Sequence, residues 1–367
     1  MSLALEPNAS VPEAVPTTMR AAVLMGPNDL QIVEKPVPQP GPGEALVKVA
    51  MCGTCGTDLK LQAHPFPNQP PFGEFTPGHE WTGTVLALGP TVDELAVGDR
   101  VAIEAHKGCG RCENCLLGMY TACLNYGNLE KGHRTSGFTA DGGFAEYVVH
   151  HINALYKLPD NVSWEDAVLV TTAGTGLYGL DVAGAFVAGQ SVAIIGPGPV
   201  GLMTVQACKA LGASPVILVG TRESRLKLGA SLGADVTINA REVDAVSTIK
   251  QLTGSRGVDL AIEASGAKEA PQQCVEIVKR GARILFLAFY PDQVTFDLSR
   301  AIREDVTLYT SRGEGGNNVK RALSLLAQGK IRGRDLVTHH FPLDQIQEGF
   351  RVVREGLGDP MKVVFVP

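Results

Sequence analysis

Ser191-Val-Ala-Ile-Ile195 runs directly into Gly196-Pro-Gly-Pro-Val-Gly201. A short apolar run, a glycine-rich turn and then a segment of helical period form the context in which G-x-G-x-x-G has a physical meaning. The first glycine makes the tight turn, the second lets a pyrophosphate approach the backbone, and the third lets helix meet strand. The free N–H groups at the helix start then face those phosphates. Gly196, Gly198, Val200 and Gly201 are accordingly expected to bind a dinucleotide.

Around this turn the chain alternates between strand and helix. The expected strands are Val192–Ile195, Pro215–Val219, Val236–Ile238, Val258–Glu263, Arg283–Phe289 and Val306–Tyr309. Leu211-Gly212 and Leu232-Gly233 read as helix ends with glycine just past the last turn. The rhythm predicts an α/β fold with a doubly wound, six-stranded parallel sheet. Upstream, Met19 to Tyr156 reads as short strands broken by Gly and Pro, such as Ala45–Ala50, Thr84–Leu88 and Phe144–Val149, which predicts an irregular β-rich domain. Ser163, three residues before Asp166, reads as a capping box opening a helix. After Gly313 the chain is expected to leave the parallel sheet through helices at Asn318–Gln328 and Leu343–Glu355 and a final strand. The resulting division is a β-rich catalytic domain at 1–171, a dinucleotide-binding domain at 172–312, and a return to the catalytic domain at 313–367.

Composition narrows the function classes. A chain of 367 residues suits two domains, and 44% apolar with 19% charged residues is globular. No apolar run reaches the roughly 18 residues of a membrane span, so the protein is expected to be soluble. The net charge is -6 with bases dispersed among acids, which argues against a nucleic-acid partner. Met1–Pro16 carries two acids, three prolines and no base, so it reads as a disordered leader rather than a secretion signal. A cytoplasmic location follows as the expectation, and eight cysteines there suit metal binding or catalysis better than disulfides.

Cys109, Cys112, Cys115 and Cys123 follow C-x2-C-x2-C-x7-C, with Gly108 just before them and Gly110 and Gly118 between them. This spacing lets four thiolates converge on one tetrahedral zinc at about 2.3 Å each, leaving no open position, so the role is structural. An iron–sulfur cluster is the rival, but the ferredoxin spacing and its following proline are missing. Separately, Cys55-Gly-Thr-Asp58 follows a β segment, and Gly78-His79-Glu80 follows the stiff Phe75-Thr-Pro77, placing His79 twenty-four positions after Cys55. Alone, a cysteine or histidine is more often a core residue than a ligand.

Together with Gly98-Asp-Arg-Val101, these motifs resemble those of the medium-chain zinc alcohol and polyol dehydrogenases, the sorbitol and threonine dehydrogenases among them, from Met19 to the end. The resemblance implies a GroES-like fold for the β-rich domain and the activity of an NAD(P)-dependent alcohol dehydrogenase. It implies Cys55 and His79 as ligands of a catalytic zinc, with Glu80 an alternate ligand or a group just behind it, and Asp58 orienting His79. Thr57 would take the alcohol proton, and Lys60 stands where a relay histidine is common. The family's further Cys or Glu ligand is replaced here by Val170-Thr171-Thr172-Ala173-Gly174, a gap Glu80 and water would fill. Ser265, Gly266, Phe289 and Arg312 would lie along the cofactor. A homo-oligomer, dimer or tetramer, is also implied. The loops His64–Phe75 and Tyr126–Gly142 would shape the pocket for a small alcohol or ketone.

The cofactor's identity depends on the end of the second strand. An acid there would hold the ribose hydroxyls of NAD and repel a 2'-phosphate. The residues present are Gly220, Thr221 and Arg222, with Arg225 one helical turn on. Gly220 does neither, Thr221 can donate a hydrogen bond, and arginine makes charge-assisted contacts to phosphate, so NADP is expected ahead of NAD. Two rivals stand beside the alcohol dehydrogenase: a zinc-free carbonyl or double-bond reductase on the same scaffold, and a non-catalytic dinucleotide-binding protein.

Overall fold

The computed structural model describes residues 15–367, so the leader expected over Met1–Pro16 lies, up to residue 14, outside the described residues. The nucleotide half is built on six parallel strands: β1 Val192–Ile195, β2 Val216–Gly220, β3 Val236–Asn239, β4 Val258–Glu263, β5 Val278–Phe286 and β6 Thr307–Thr310. Their order in the sheet is 3-2-1-4-5-6. β1 lies near the middle and buries both faces. Val192 and Ile194 pack into one core with Leu202 and Met203, while Ala193 and Ile195 join another with Ile217, Val219 and Ile249. Burial on both faces is why β1 reads as an unbroken apolar run rather than an alternating one.

Four strands differ from the expectation in their ends, β3 closing at Asn239 rather than Ile238 and β6 spanning Thr307–Thr310 rather than Val306–Tyr309. β2 runs one residue further, so Gly220 itself closes the strand. β5 begins at Val278 and ends at Phe286, not Phe289. The parallel ladder stops there because its partner β4 stops at Glu263, opposite Phe286. Phe289 is left past the strand and exposed.

The other half is a seven-stranded sheet. Its path runs Val337–Pro342, Lys362–Val366, Glu44–Gly53, Glu80–Leu88, Arg100–Ile103 and Leu155–Lys157, with Tyr147–His151 also paired to Glu44–Gly53. The C-terminal strand therefore returns to the N-terminal half, with Val364 opposite Gly53. Its core gathers Phe75, Trp81, Phe144, Phe350 and Phe365. The helix after Asn317 ends at Ala327, and the stretch from Leu343 opens as a 3-10 turn before the helix Ile346–Glu355. The helix Val170–Val182 runs across the 171/172 boundary and packs on both Pro199–Ala210 and Asn318–Ala327. No helix among the described residues is long and apolar enough to cross a membrane.

Half of the capping box at Ser163 forms. The Ser163 hydroxyl accepts the Asp166 N–H at 3.2 Å, but the helix it opens is only Trp164–Ala167. The Asp166 carboxylate instead accepts the N–H groups of Gly333 at 2.8 Å and Arg334 at 2.9 Å, and Arg334 Nε at 2.8 Å. The buried carboxylate thus ties the entry to the Val170–Val182 helix to the returning chain. Burial works to raise the Asp166 pKa, yet the Arg334 guanidinium and the two backbone donors outweigh it and hold the group below its usual value. A depressed carboxyl stabilises the fold at neutral pH and loses that contribution as pH falls through the folded value. Asp166→Ala is expected to lower stability by about 2 to 4 kcal/mol at pH 7, because it leaves buried donors unpaired. In urea denaturation the gap between wild type and Asp166→Asn should narrow below about pH 4. A gap that does not change with pH would exclude an ionised Asp166.

Candidate active site

The strand Glu44–Gly53 ends just before Cys55, which sits at the N-cap of the helix Gly56–Ala63. The Cys55 N–H donates to Asp58 Oδ2 at 2.8 Å, fixing a carboxylate that is fully buried. Its other oxygen lies 3.3 Å from His79 Nδ1, which leaves Nε2 as the ring atom free to ligate. His79 precedes the strand Glu80–Leu88, whose antiparallel register puts Glu80 opposite Gly53. Register thereby closes the sequence gap, and one ligand atom each from Cys55, His79 and Glu80 lie within 4.8 Å of one another. Sulfur, imidazole nitrogen and carboxylate oxygen form a donor set suited to zinc. Burial disfavours a charged His79, yet the Asp58 carboxylate and the Cys55 thiol hold its pKa well above the usual value.

Glu80 has two further partners. Thr172 donates its hydroxyl to Oε1 at 3.1 Å, and Oε2 accepts the ammonium of Lys362, whose Nζ also donates to the Thr54 carbonyl at 2.9 Å. Lys362 is only 2% exposed. Burial works against its charge, but the carboxylate of Glu80 outweighs it and raises the pKa. A carboxylate has about four lone-pair sites, so both contacts leave Glu80 able to ligate. Thr171, in the segment that holds a further Cys or Glu ligand in the family, is buried with its hydroxyl unpartnered among the described residues.

The other expected residues divide. Thr57 Oγ1 lies 3.5 Å from Cys55 Sγ. Lys60 is exposed and turns toward the nucleotide half, with Nζ 3.4 Å from the Phe289 carbonyl and 5.8 Å from the centre of its ring. The two pocket loops meet where Phe66 stacks on Phe138, and Phe138 packs 4.6 Å from His79, giving the site an apolar wall. Phe289 and Arg312 line a cleft of about 630 Å³ with Thr121, Tyr178, Leu287 and Tyr290. Cys55, His79 and Glu80 do not line that cleft.

At the glycine turn, Gly196 has φ +113°, and a Cβ there would fall 2.7 Å from Ser265 Cα. A Cβ on Gly201 would fall 1.9 Å from the Gly196 carbonyl oxygen, so the helix packs on the turn at a distance only glycine allows. Gly198 borders open space. Ser265 and Gly266 are held by N–H donation to Glu263 Oε1 at 2.7 Å and 3.0 Å. Gly220 has a steric reason to be glycine, since a Cβ there would meet Pro197 Cγ at 2.4 Å. Val200 lies in the first turn of the helix Pro199–Ala210, and Thr221 is exposed beside Arg222.

In the cysteine lobe, Cys109 and Cys115 sulfurs are 4.0 Å apart and those of Cys112 and Cys123 are 3.8 Å apart. A tetrahedron with 2.3 Å arms has an edge of about 3.8 Å, so the spacing fits zinc, whereas a disulfide would need about 2.05 Å. Asn125 supplies donors, its Nδ2 to Cys109 Sγ at 3.2 Å and its N–H to Cys123 Sγ at 3.4 Å.

Residues 41–160 match the model of the alcohol dehydrogenase GroES-like domain, and residues 199–328 match that of the zinc-binding dehydrogenases. Sorbitol dehydrogenase of Bacillus subtilis is 32% identical over 96% of this chain and 98% of its own length. L-threonine 3-dehydrogenase of Pyrococcus horikoshii is 36% identical over 92% of this chain and 94% of its own. The chain belongs to the medium-chain zinc-binding alcohol dehydrogenases. Among solved structures, a provisionally assigned zinc-binding dehydrogenase of Sinorhizobium meliloti 1021, bound to NADP, superposes with a TM-score of 0.87 at 29% identity, covering 96% of this chain and 100% of that one.

Sequence reading missed Lys362 and Thr172 as partners of Glu80 in this dehydrogenase. A lone lysine inside the apolar run Met361-Lys-Val-Val-Phe-Val366 was the available signal, because a charge in a buried strand requires a counter-charge. Lys362→Met is expected to cost about 3 to 5 kcal/mol by stranding Glu80, and adding Glu80→Gln should restore much of the loss. Urea denaturation of the three variants checks this, and additive losses in the double variant would deny the pairing.

Proposed function

We propose that this dehydrogenase interconverts a secondary alcohol or polyol and its ketone, using NADP ahead of NAD. Cys55, His79 and Glu80 would hold the catalytic zinc, and Cys109, Cys112, Cys115 and Cys123 a structural one. The observation that carries the reading is the convergence of Cys55, His79 and Glu80 within 4.8 Å beside the Thr57 hydroxyl. Bound zinc supplies a Lewis acid for the substrate oxygen, and the nicotinamide supplies the hydride acceptor. Asp58 orients His79 through Nδ1, the role a carboxylate commonly plays behind a ligating imidazole. Thr57 would accept the alcohol proton at Oγ1 while its own hydroxyl proton passes to water, which its partly exposed side chain reaches. Phe138 and Phe66 keep water from that side of the pocket. Lys60, turned toward Phe289, has no part in this scheme.

Arg222 and Arg225 support NADP, because two guanidinium groups at the end of β2 suit a 2'-phosphate and the strand end carries no acid. The threonines at 171 and 172 favour one alternative, a reductase on the same scaffold without catalytic zinc.

Elemental analysis should find two zinc ions per chain, falling to one in Cys55→Ala. One ion in the wild type, retained in that variant, would select the zinc-free reading. Glu80→Gln is expected to lower zinc affinity or turnover by roughly 10-fold to 100-fold, and full retention of both would remove Glu80 from the site. Steady-state kinetics over secondary alcohols, sugars and cyclitols should give a higher kcat/KM with NADP. Arg222→Ala should reduce that value about 10-fold while leaving NAD nearly unchanged. A wild type that favours NAD would overturn the cofactor assignment. Gly220→Asp is a poor test, since Pro197 leaves no space for its Cβ.

A further inference from the structure

The arginines at the end of β2 already hold an anion. Asp359 Oδ1 accepts from Arg222 Nη1 at 2.9 Å and from Arg225 Nε at 3.2 Å, and Oδ2 accepts the Ser224 hydroxyl at 2.5 Å. Asp359 belongs to the other half of the molecule, in the turn between the helix Ile346–Glu355 and the last strand Lys362–Val366. Two guanidinium groups and a hydroxyl converging on one carboxylate are the donors a phosphate monoester would recruit. The β2 end is also where a dinucleotide's adenosine ribose is recognised in such folds.

We propose that Asp359 is a built-in competitor for the 2'-phosphate of the cofactor. It holds Arg222, Ser224 and Arg225 in a phosphate-binding arrangement and must leave when the phosphate arrives, so it sets how strongly the protein discriminates between the two dinucleotides. The inference rests on the reading of Arg222 and Arg225 as 2'-phosphate ligands. The carboxylate and the phosphate cannot share these donors, because both are anions and the donors are few. A dinucleotide without the phosphate leaves the clasp closed, so Asp359 acts against the phosphorylated cofactor alone.

The turn is built to let go. The Asp359 side chain is 37% exposed, and the residue has φ +53° directly after Gly358 at +69°, with Gly356 at +68° two positions before that glycine; both glycines can re-orient at little cost. Arg225 keeps an anchor after release, because its Nη2 donates separately to the Pro360 carbonyl at 2.8 Å. Arg222, half exposed, has no second hydrogen-bond partner on its guanidinium among the described residues and is the group freed for phosphate.

Calorimetric binding of adenosine 2',5'-bisphosphate and of 5'-AMP to the intact protein tests this without any turnover. The wild type should prefer the bisphosphate, and Asp359→Asn should bind it about 10-fold more tightly, equivalent to about 1.4 kcal/mol, with 5'-AMP changed less than about 2-fold. Glu223→Gln removes a neighbouring exposed charge outside the clasp, and it should leave both affinities within about 2-fold. Asp359→Ser guards against a folding defect peculiar to the asparagine, and thermal melts of both variants confirm the fold. If the wild type prefers the bisphosphate and neither Asp359 variant tightens it, or if Glu223→Gln tightens it equally, the competitor role is overturned while the NADP reading stands. If the wild type shows no preference but the Asp359 variants acquire one, the competitor role holds and the NADP reading fails. If no variant discriminates, both fall.

Discussion

A buried ion pair between Glu80 and Lys362 joins residues 282 positions apart in the chain, and the candidate active site depends on it. Neither charge could be buried alone, since an unpaired ion in a low-dielectric interior costs several kcal/mol. The pair forms only when the C-terminal strand lies beside Glu44–Gly53 and that strand lies beside Glu80–Leu88. Sheet register and charge satisfaction therefore specify the same arrangement. A one-residue slip would turn Lys362 or Glu80 to the opposite face and leave the other unpaired.

The same returning segment touches both ends of the dehydrogenase's working surface. Lys362 pairs with Glu80 of the proposed zinc cluster, while Asp359, three positions earlier, engages the arginines past the end of β2. Asp166 adds a third attachment by gripping Gly333 and Arg334. Of these three, only the Asp359 contacts join the nucleotide half to the other half, while Lys362–Glu80 and Asp166–Arg334 brace that other half from within. Such contacts are exchangeable for ligand contacts, as a packed core is not, which suits a place where a charged cofactor enters.

The glycine turn shows the opposite behaviour. Gly196, Gly201 and Gly220 are hemmed in by backbone and by Pro197 at distances below van der Waals contact for any Cβ. Nothing there can adjust to a larger residue without moving β1 or the helix after it. Gly220 serves two demands at once. It makes room for Pro197, and under the proposed cofactor preference it also leaves no acid to repel a phosphate.

Much of this was legible in the chain itself, wherever the physics is local. The four lobe cysteines, the glycine turn and the alternation of strand with helix are short-range patterns, because turn geometry, thiolate reach and side-chain period act over a few residues. The strand boundaries at Gly220 and Phe286 were less legible, since a parallel strand ends where its neighbour ends and not where its own propensity does. Family resemblance assembled Cys55, His79 and Glu80 from three weak local signals, and register supplied the reason they meet. Lys362, Thr172 and Asp359 were decided only by tertiary structure. A charged or hydroxyl side chain carries no mark of its partner in its own neighbourhood, and the contact exists only once the fold has brought distant strands and turns together.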